Sequence, residues 1–209
     1  KYVWCDYQKK LLLLDYKQNE LNFPNIGNPT GVLTNEKIIP IETLRHAYHA
    51  ASISELFRKC NNLICVEIGG GIGGQAYQTL KMCGHSISKY ILFDIPEVAT
   101  LSSYFLLSAF PDKRVRLFSE GPISLLDDDY DIGIFPHYSI TELPKVSVDL
   151  FYNSCSFSEM DEKSSNIYLS VINKCCRKYF MHDNHDKTFI FKNNDGTNSK
   201  NIIGSNLLP

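Results

Sequence analysis

The sequence has no excess of either charge sign. Lys and Arg number 21 against 23 Asp and Glu, a formal net charge of −2. The field needed to collect nucleic acid nonspecifically is therefore missing. Long hydrophobic runs are missing too: the run near the start, Leu11 to Leu14, is far short of a membrane span. The chain opens on Lys1 with no signal-peptide pattern behind it, which reads as a trimmed chain or a module of a longer protein. Its seven cysteines are odd in number and contain no CxxC, a poor framework for disulfides or zinc. A reducing compartment, the cytoplasm, is the expected setting. The sequon at Asn28 is spoiled by Pro29. Internal repeats and low-complexity tracts are absent.

What is there is ordinary globular material: 209 residues, 44% hydrophobic and 21% charged. That suits one domain with a short appendage and argues against disorder over most of the chain. Residues 1–60 read as an N-terminal extension with a lid-like helix, and residues 61–209 as the core. In the extension, Lys9 to Tyr16 has the makings of a short helix or strand, and Asn22 to Thr34, with Pro24, Gly27, Pro29 and Gly31, reads as a loop. Ile41, Leu44, Tyr48 and Ala51 fall at helical spacing behind Pro40.

From Leu63 the texture becomes strand–helix alternation. Leu63–Ile68, Tyr90–Asp94, Asp131–Phe135 and Val148–Asn153 read as strands, with shorter candidates at Val115–Phe118, Tyr179–His182 and Thr188–Phe191. Helical faces lie at Gln75–Met82, Val98–Ala109 and Ser164–Cys175, and Asn193–Asn201 is a polar turn region. Such alternation predicts an α/β fold, a mostly parallel sheet with helices on both faces. Ligands of such sheets sit at the carboxyl ends of the strands.

The sharpest local signal is Glu67-Ile68-Gly69-Gly70-Gly71-Ile72-Gly73-Gly74 between a strand and a helix. Glycines there permit positive φ and a close ligand approach, and the helix start offers free N–H groups. The next strand ends in Asp94, suited to ribose hydroxyls. Gly69, Gly71 and Gly74 satisfy G-x-G-x-x-G, the dinucleotide pattern. Glu67, Gly69, Gly71 and Gly73 satisfy the E-x-G-x-G-x-G loop of enzymes that use S-adenosyl-L-methionine (SAM). A carboxylate at Glu67 repels pyrophosphate but attracts a sulfonium and an ammonium, which favours SAM.

Several blocks in order carry a family resemblance: Ile26-Gly27-Asn28-Pro29, Leu44-Arg45-His46-Ala47-Tyr48, Glu67-Ile68-Gly69-Gly70-Gly71, Phe93-Asp94-Ile95-Pro96-Glu97, Phe135-Pro136-His137-Tyr138, and Val148 through Met160 with its Asn-Ser-Cys-Ser-Phe-Ser-Glu-Met core. Over residues 26–160 the chain resembles the sugar O-methyltransferases, a branch of the class I SAM-dependent methyltransferases. It also looks like the methyltransferase module of multidomain glycan-building proteins of large DNA viruses. The resemblance implies a Rossmann-like class I methyltransferase sheet with an N-terminal helical or looped extension, and SAM-dependent methylation of a sugar hydroxyl. A deoxyhexose such as rhamnose is the implied acceptor, with glycosyltransferase domains as partners or fusions.

On that reading Glu67, Gly69, Gly71 and Gly73 hold the methionine part of SAM, Asp94 the ribose, and Ile95 and His137 the adenine side, while Asn153 orients the cofactor. A sugar hydroxyl is a very weak acid, so a general base is expected after the fourth or fifth strand. Glu159 and His182 are the catalytic candidates. Ser156, Tyr48 and His185 are the candidates for holding the acceptor. Ser158 or Asp161 would cap the helix that follows. Asp183 and Asp186 would suit a divalent ion, but their spacing matches no dedicated metal motif. Two other readings fit parts of the sequence: a catalytically degenerate glycan-binding or docking module, and an NAD-dependent sugar dehydrogenase. The latter would show Tyr-x-x-x-Lys on a helix, which Tyr90, Tyr104, Tyr168 and Tyr179 do not provide.

Overall fold

A computed structural model describes residues 2–13, 21–34, 37–121, 123, 125 and 129–207. The extension contributes helix α1 (Tyr2–Leu13), strands β1 (Gly31–Thr34) and β2 (Lys37–Pro40), and helix α2 (Thr43–Leu56). The core alternates β3 (Leu63–Ile68), α3 (Gly74–Cys83), β4 (Ile87–Asp94), α4 (Pro96–Ala109), β5 (Val115–Leu117), β6 (Ile132–Pro136), β7 (Val148–Ser154), α5 (Glu162–Cys175) and β8 (Cys176–Asp183). A hairpin of β9 (Ile190–Lys192) and β10 (Asn198–Lys200) follows.

Six strands form one parallel sheet in the order β5-β6-β4-β3-β7-β8. Chain order reverses direction between β3 and β7, which makes a switch point at the carboxyl ends of those two strands. The expected strand at Asp131–Phe135 lies beside β4 as β6, and the shorter candidate at Val115–Phe118 forms the edge strand β5 beyond it. The sheet is the Rossmann-like α/β arrangement that the alternation predicts.

Strand alternation divides the sheet into two faces. On one, Cys65, Tyr90, Leu92, Ile132, Ile134, Leu150 and Tyr152 pack under Ile53 and Phe57 of the α2 segment, Tyr77 and Leu80 of α3, and Phe105 and Leu106 of α4. On the other, Val66, Ile68, Ile91, Phe93, Phe135 and Phe151 pack under Val171, Ile172 and Cys175 of α5 and under Leu207. Parity then assigns the polar residues. Glu67 and Tyr152, which are register partners, share the α2–α4 face. Asp183 follows Met181 onto that face, and Asn153 and His182, also register partners, lie on the α5 face.

The extension departs from expectation in two places. Part of the segment expected as a loop is strand, because Val32 and Leu33 pair antiparallel with Ile39 and Ile38, and Ile39 is buried. Pro and Gly punctuation hid a hairpin of two four-residue strands. Pro40 ends β2 rather than opening α2, which starts at Thr43. At the other end of the chain order, α1 takes the helical alternative from Tyr2 to Leu13; the expected continuation to Tyr16 lies outside the described residues. The cap of α5 is Asp161, whose carboxylate accepts from the Ser164 N–H at 2.8 Å. Ser158 is buried in the preceding 3-10 turn and serves a different network. No helix of the described residues is long and apolar enough to cross a membrane.

Candidate functional site

The glycine loop leaves β3 with positive φ at Gly69 (+73°), Gly71 (+54°) and Gly73 (+90°). Most of these glycines are demanded by packing. A side chain at Gly69 would collide with Ser156 of the β7 turn, one at Gly70 would press on Leu92, one at Gly73 would meet Leu106 of α4 at 3.0 Å, and one at Gly74 would meet the His46 ring of α2 at 2.8 Å. Gly71 differs, because nothing lies within 4 Å of a Cβ built there. Of the loop glycines from 69 to 74, it is the one that faces open space.

Two carboxyls stand by the loop, Asp94 bonded to Gly71 and Glu67 beneath Gly70. Asp94, at the end of β4, accepts from the Gly71 N–H and the Ile95 N–H, each at 2.8 Å, which ties the loop to the next strand end. Burial nonetheless raises its pKa above the ordinary value, outweighing the two N–H bonds and the nearby His137. Glu67 is 3% exposed and accepts a hydrogen bond from the Tyr90 hydroxyl at 2.8 Å. Burial pushes its carboxyl up to about 8, with Asp94 adding to the rise and the Tyr90 bond opposing it. Ile72, Ile95 and Tyr138, which follow the carboxyl ends of β3, β4 and β6, are apolar and about half exposed. His137 opens the 3-10 turn after β6, and its Nδ1 is buried with no hydrogen-bond partner among the described residues.

Across the switch point, Asn153 is fully buried and fully engaged. Its Nδ2 donates to the Ile68 carbonyl at 2.9 Å and to Ser156 Oγ, and its Oδ1 accepts from Asn184 Nδ2 at 2.7 Å. Asn184 Oδ1 in turn accepts from Ser158, and Ser158 Oγ accepts from the His185 N–H. The network fastens the ends of β3, β7 and β8 to one another. His185 is further held by the Gly204 N–H on its carbonyl and by Lys187 N–H on its Nδ1. Glu159 ends the 3-10 turn with its side chain exposed. His182 lies on the α5 face, its ring 5.3 Å from that of Phe180 and its pKa lowered by burial against the opposing pull of Asp183. Glu159 and His182 are not joined to each other by any contact among the described residues.

A different cluster gathers on the α2–α4 face, at the carboxyl ends of β7 and β8. His49 of α2 is 4% exposed, with Nδ1 2.6 Å from the Tyr152 hydroxyl and Nε2 3.5 Å from Asp183 Oδ2. Tyr7 of α1 donates to the same Asp183 oxygen at 3.4 Å. Tyr48 stands beside both, its ring 5.8 Å from Tyr7 and 5.5 Å from His49, with Lys10 Nζ over the Tyr7 and Tyr48 rings. Arg45 donates to Cys155 Sγ at 2.9 Å and pairs with Glu42. Burial lowers the His49 pKa to about 4, with Arg45 and Lys10 helping and Asp183 opposing. Sequence reasoning gave residues 1–60 a lid-like helix with Tyr48 at helical spacing but did not join Arg45, Tyr48 and His49 of that helix to Tyr152, Cys155 and Asp183. The available signal was that Tyr152 and Asp183 lie near strand ends on the parity shared with Glu67, with Cys155 just past the end of β7. No group of three or more His, Cys, Asp or Glu among the described residues is arranged to hold a metal ion.

The Tyr-x-x-x-Lys spacing does occur once the whole chain is considered, at Tyr77 and Lys81 of α3. Tyr77 is 5% exposed and wedged among Phe23, Phe105 and Phe110, while Lys81 is on the surface, so the pair belongs to the core and its rim.

No protein-family model matches the sequence, and no curated protein matches it. Solved structures with similar chain paths include a SAM-dependent methyltransferase from Aquifex aeolicus (14% identity over 66% of this chain, TM-score 0.48). Others are an arsenic(III) S-adenosylmethionine methyltransferase from Chlamydomonas reinhardtii (14% identity over 56%, TM-score 0.40) and the small RNA methyltransferase HEN1 (15% identity over 60%, TM-score 0.42). The chain spans 65%, 36% and 14% of these three proteins, less than two thirds of each.

Proposed function

We propose that the chain is a SAM-dependent O-methyltransferase acting on a sugar hydroxyl, with a deoxyhexose such as rhamnose in a glycan as the acceptor. The observation that carries the reading is Glu67. A carboxyl buried at the foot of a glycine loop, its pKa pushed up to about 8 by that burial, is a ready partner for a cation, which would draw off its proton and supply the missing counter-charge. The chemistry of the donor set fits SAM: Glu67 for the ammonium, Gly71 for close backbone approach, Asp94 for the ribose hydroxyls, and Ile95 with His137 for the adenine side.

SAM, when bound, supplies an electrophilic methyl on a positively charged sulfur. The residues of this chain bind, orient and exclude water around it. The acceptor side is the cluster of Tyr7, Tyr48, His49 and Asp183. Aromatic rings beside a carboxylate suit a neutral polyhydroxyl ligand, the rings covering C–H faces and the carboxylate accepting from hydroxyls. The sugar class also rests on the resemblance of residues 26–160 to the sugar O-methyltransferases, which further suggests work beside glycosyltransferase domains.

Calorimetric titration with SAM, and in parallel with NAD(H), tests the reading. Micromolar SAM binding without NAD(H) binding is expected, followed by a mass gain of one methyl on a methyl glycoside. Binding of NAD(H) alone would move the chain to the dehydrogenase class.

A further inference from the structure

Resting on that reading, we infer that Asp183 is the general base for the acceptor hydroxyl and that His49 positions it. Three observations converge. Asp183 is the last residue of β8, on the same sheet face as Glu67, whereas His182 beside it points to the α5 face. Two strand spacings separate β8 from β3, so Asp183 stands about 10 Å from the glycine loop. That leaves room for a transferable group and an acceptor oxygen between them. Asp183 is also the accessible member of its cluster: its side chain is 41% exposed, against 5% for His49.

The contacts suggest the roles. His49 Nε2 faces Asp183 Oδ2 at 3.5 Å, and a carboxylate there favours the tautomer with the proton on Nε2, which leaves Nδ1 to accept from the Tyr152 hydroxyl at 2.6 Å in preference to the longer 3.4 Å contact of that hydroxyl with Gln75 Oε1. Both imidazole nitrogens are thereby occupied, and His49 has no lone pair to offer a substrate. Asp183 accepts from the Tyr7 hydroxyl on Oδ2, with His49 Nε2 3.5 Å from the same oxygen, and among the described residues its Oδ1 has no hydrogen-bond partner. In the reaction the acceptor oxygen gains the methyl as the donor's carbon–sulfur bond breaks and its electron pair returns to sulfur. The hydroxyl proton passes to Asp183 and then to water. The charged and titratable groups facing Asp183 are Tyr7 and Lys10 from α1, Arg45 and His49 from α2, Tyr152 and Cys155 from β7 and its turn, and the neighbouring His182.

The test uses the whole chain with SAM and methyl α-L-rhamnopyranoside as the probe acceptor. Asp183→Asn is expected to keep SAM affinity within about threefold and to lower kcat by roughly 10²–10⁴-fold. His49→Leu should lower kcat at least tenfold with KM for the glycoside little changed, because Asp183 loses the group that orients it, and His49→Gln, which restores an N–H near Nε2, should recover most of the loss. Independently of turnover, the ¹⁵N resonances of His49 should report the Nε2–H tautomer in the wild type and shift in Asp183→Asn. A kcat for Asp183→Asn within threefold of wild type, or a His49 in the Nδ1–H tautomer, overturns the assignment. Wild-type protein that binds SAM but methylates no glycoside overturns the sugar-hydroxyl reading and the base with it, and wild-type protein that does not bind SAM strikes the methyltransferase reading itself.

Discussion

The Tyr90 hydroxyl donates to Glu67 Oε2 at 2.8 Å across neighbouring strands of the sheet, and both residues are almost wholly buried. This single bond does not compensate the desolvation of a carboxylate, so Glu67 stays mostly protonated at pH 7 with its pKa near 8. A bound ammonium would supply the missing charge and drive the proton off. SAM binding at pH 7 is therefore expected to release close to one proton, read as a calorimetric enthalpy that varies with the ionisation enthalpy of the buffer. Glu67→Gln should abolish that dependence and weaken binding. The sign for stability runs the other way from a salt-bridged acid. The folded pKa lies above the unfolded one, so the folded state holds the extra proton between about pH 4 and pH 8, and stability falls across that window as pH rises. Glu67→Gln should accordingly gain most over wild type in thermal stability near pH 8. Equal binding enthalpies in phosphate and Tris would refute the protonation argument.

The glycines of the loop are expected to separate by role. Gly69→Ala adds a left-handed Cβ that collides with Ser156, and Gly73→Ala adds one 3.0 Å from Leu106, so both should unfold at markedly lower urea concentration. Gly71→Ala meets nothing and should cost only the roughly 1–2 kcal/mol of the left-handed conformation, yet it places a methyl where the ligand backbone contact is expected. The decisive pattern is a folded Gly71→Ala protein with at least tenfold weaker SAM binding. A Gly71→Ala protein that binds like wild type would mean that the loop opening is not the ligand contact.

Much of this architecture is legible in the residues, because buried parallel strands announce themselves as short apolar runs ended by glycine or a polar residue. Leu63–Ile68, Tyr90–Asp94 and Val148–Asn153 are of this kind, and they carry Glu67, Asp94 and Asn153 to the right end of the sheet. The β1–β2 hairpin was not legible, since its strands are four residues long and carry Gly31 and Pro40 at their paired outer ends. The Tyr7–His49–Asp183 cluster was legible only in pieces. Tyr7, His49, Tyr152 and Asp183 come from four elements spread over 176 residues, and only the packing of α1 and α2 across the strand ends brings them together. Helical spacing marks Tyr48 and His49 but cannot say what lies across from them.

At the opposite, amino end of the sheet, Asp149 is completely buried and accepts from Arg177 at 2.8 and 2.7 Å, from Lys178 at 3.0 Å and from the Ile64 N–H at 2.9 Å. These bonds outweigh burial and hold its pKa below the ordinary value. A depressed folded pKa contributes stability above the unfolded value near 4, and that stability is lost as the pH falls through the folded pKa. Asp149→Asn should cost roughly 3–5 kcal/mol at pH 7, the lower end being favoured because Arg177 and Lys178 keep access to water. It should also flatten the acid limb of the stability–pH curve below about pH 4, while leaving SAM binding unchanged because the site lies at the far end of the strands. Urea midpoints from pH 2.5 to 7 decide the matter; an unchanged acid limb would remove Asp149 from the account.

Cys155 turns the chain out of β7 with φ +65° and ψ −32°, a conformation that a residue with a Cβ adopts only under constraint. The constraints are visible: its N–H donates to the Asp183 carbonyl, its carbonyl accepts from the Ser158 N–H, and Arg45 holds its sulfur. Such strain costs about 1–3 kcal/mol and is retained where a side chain must be presented at a site. Cys155→Gly relieves it at an unfolded-state entropy cost of roughly 0.5–1 kcal/mol, so the variant should equal or exceed wild type by up to about 2 kcal/mol in urea unfolding. The same change strips Arg45 of its sulfur partner beside the acceptor cluster, and methyl transfer to the probe glycoside should drop with SAM affinity intact. Cys155→Val, with a β-branched side chain in the same backbone, should destabilise instead. A Cys155→Gly protein less stable than wild type by more than about 1 kcal/mol would show that the thiol's contacts, not the presentation of a functional side chain, keep cysteine at this turn.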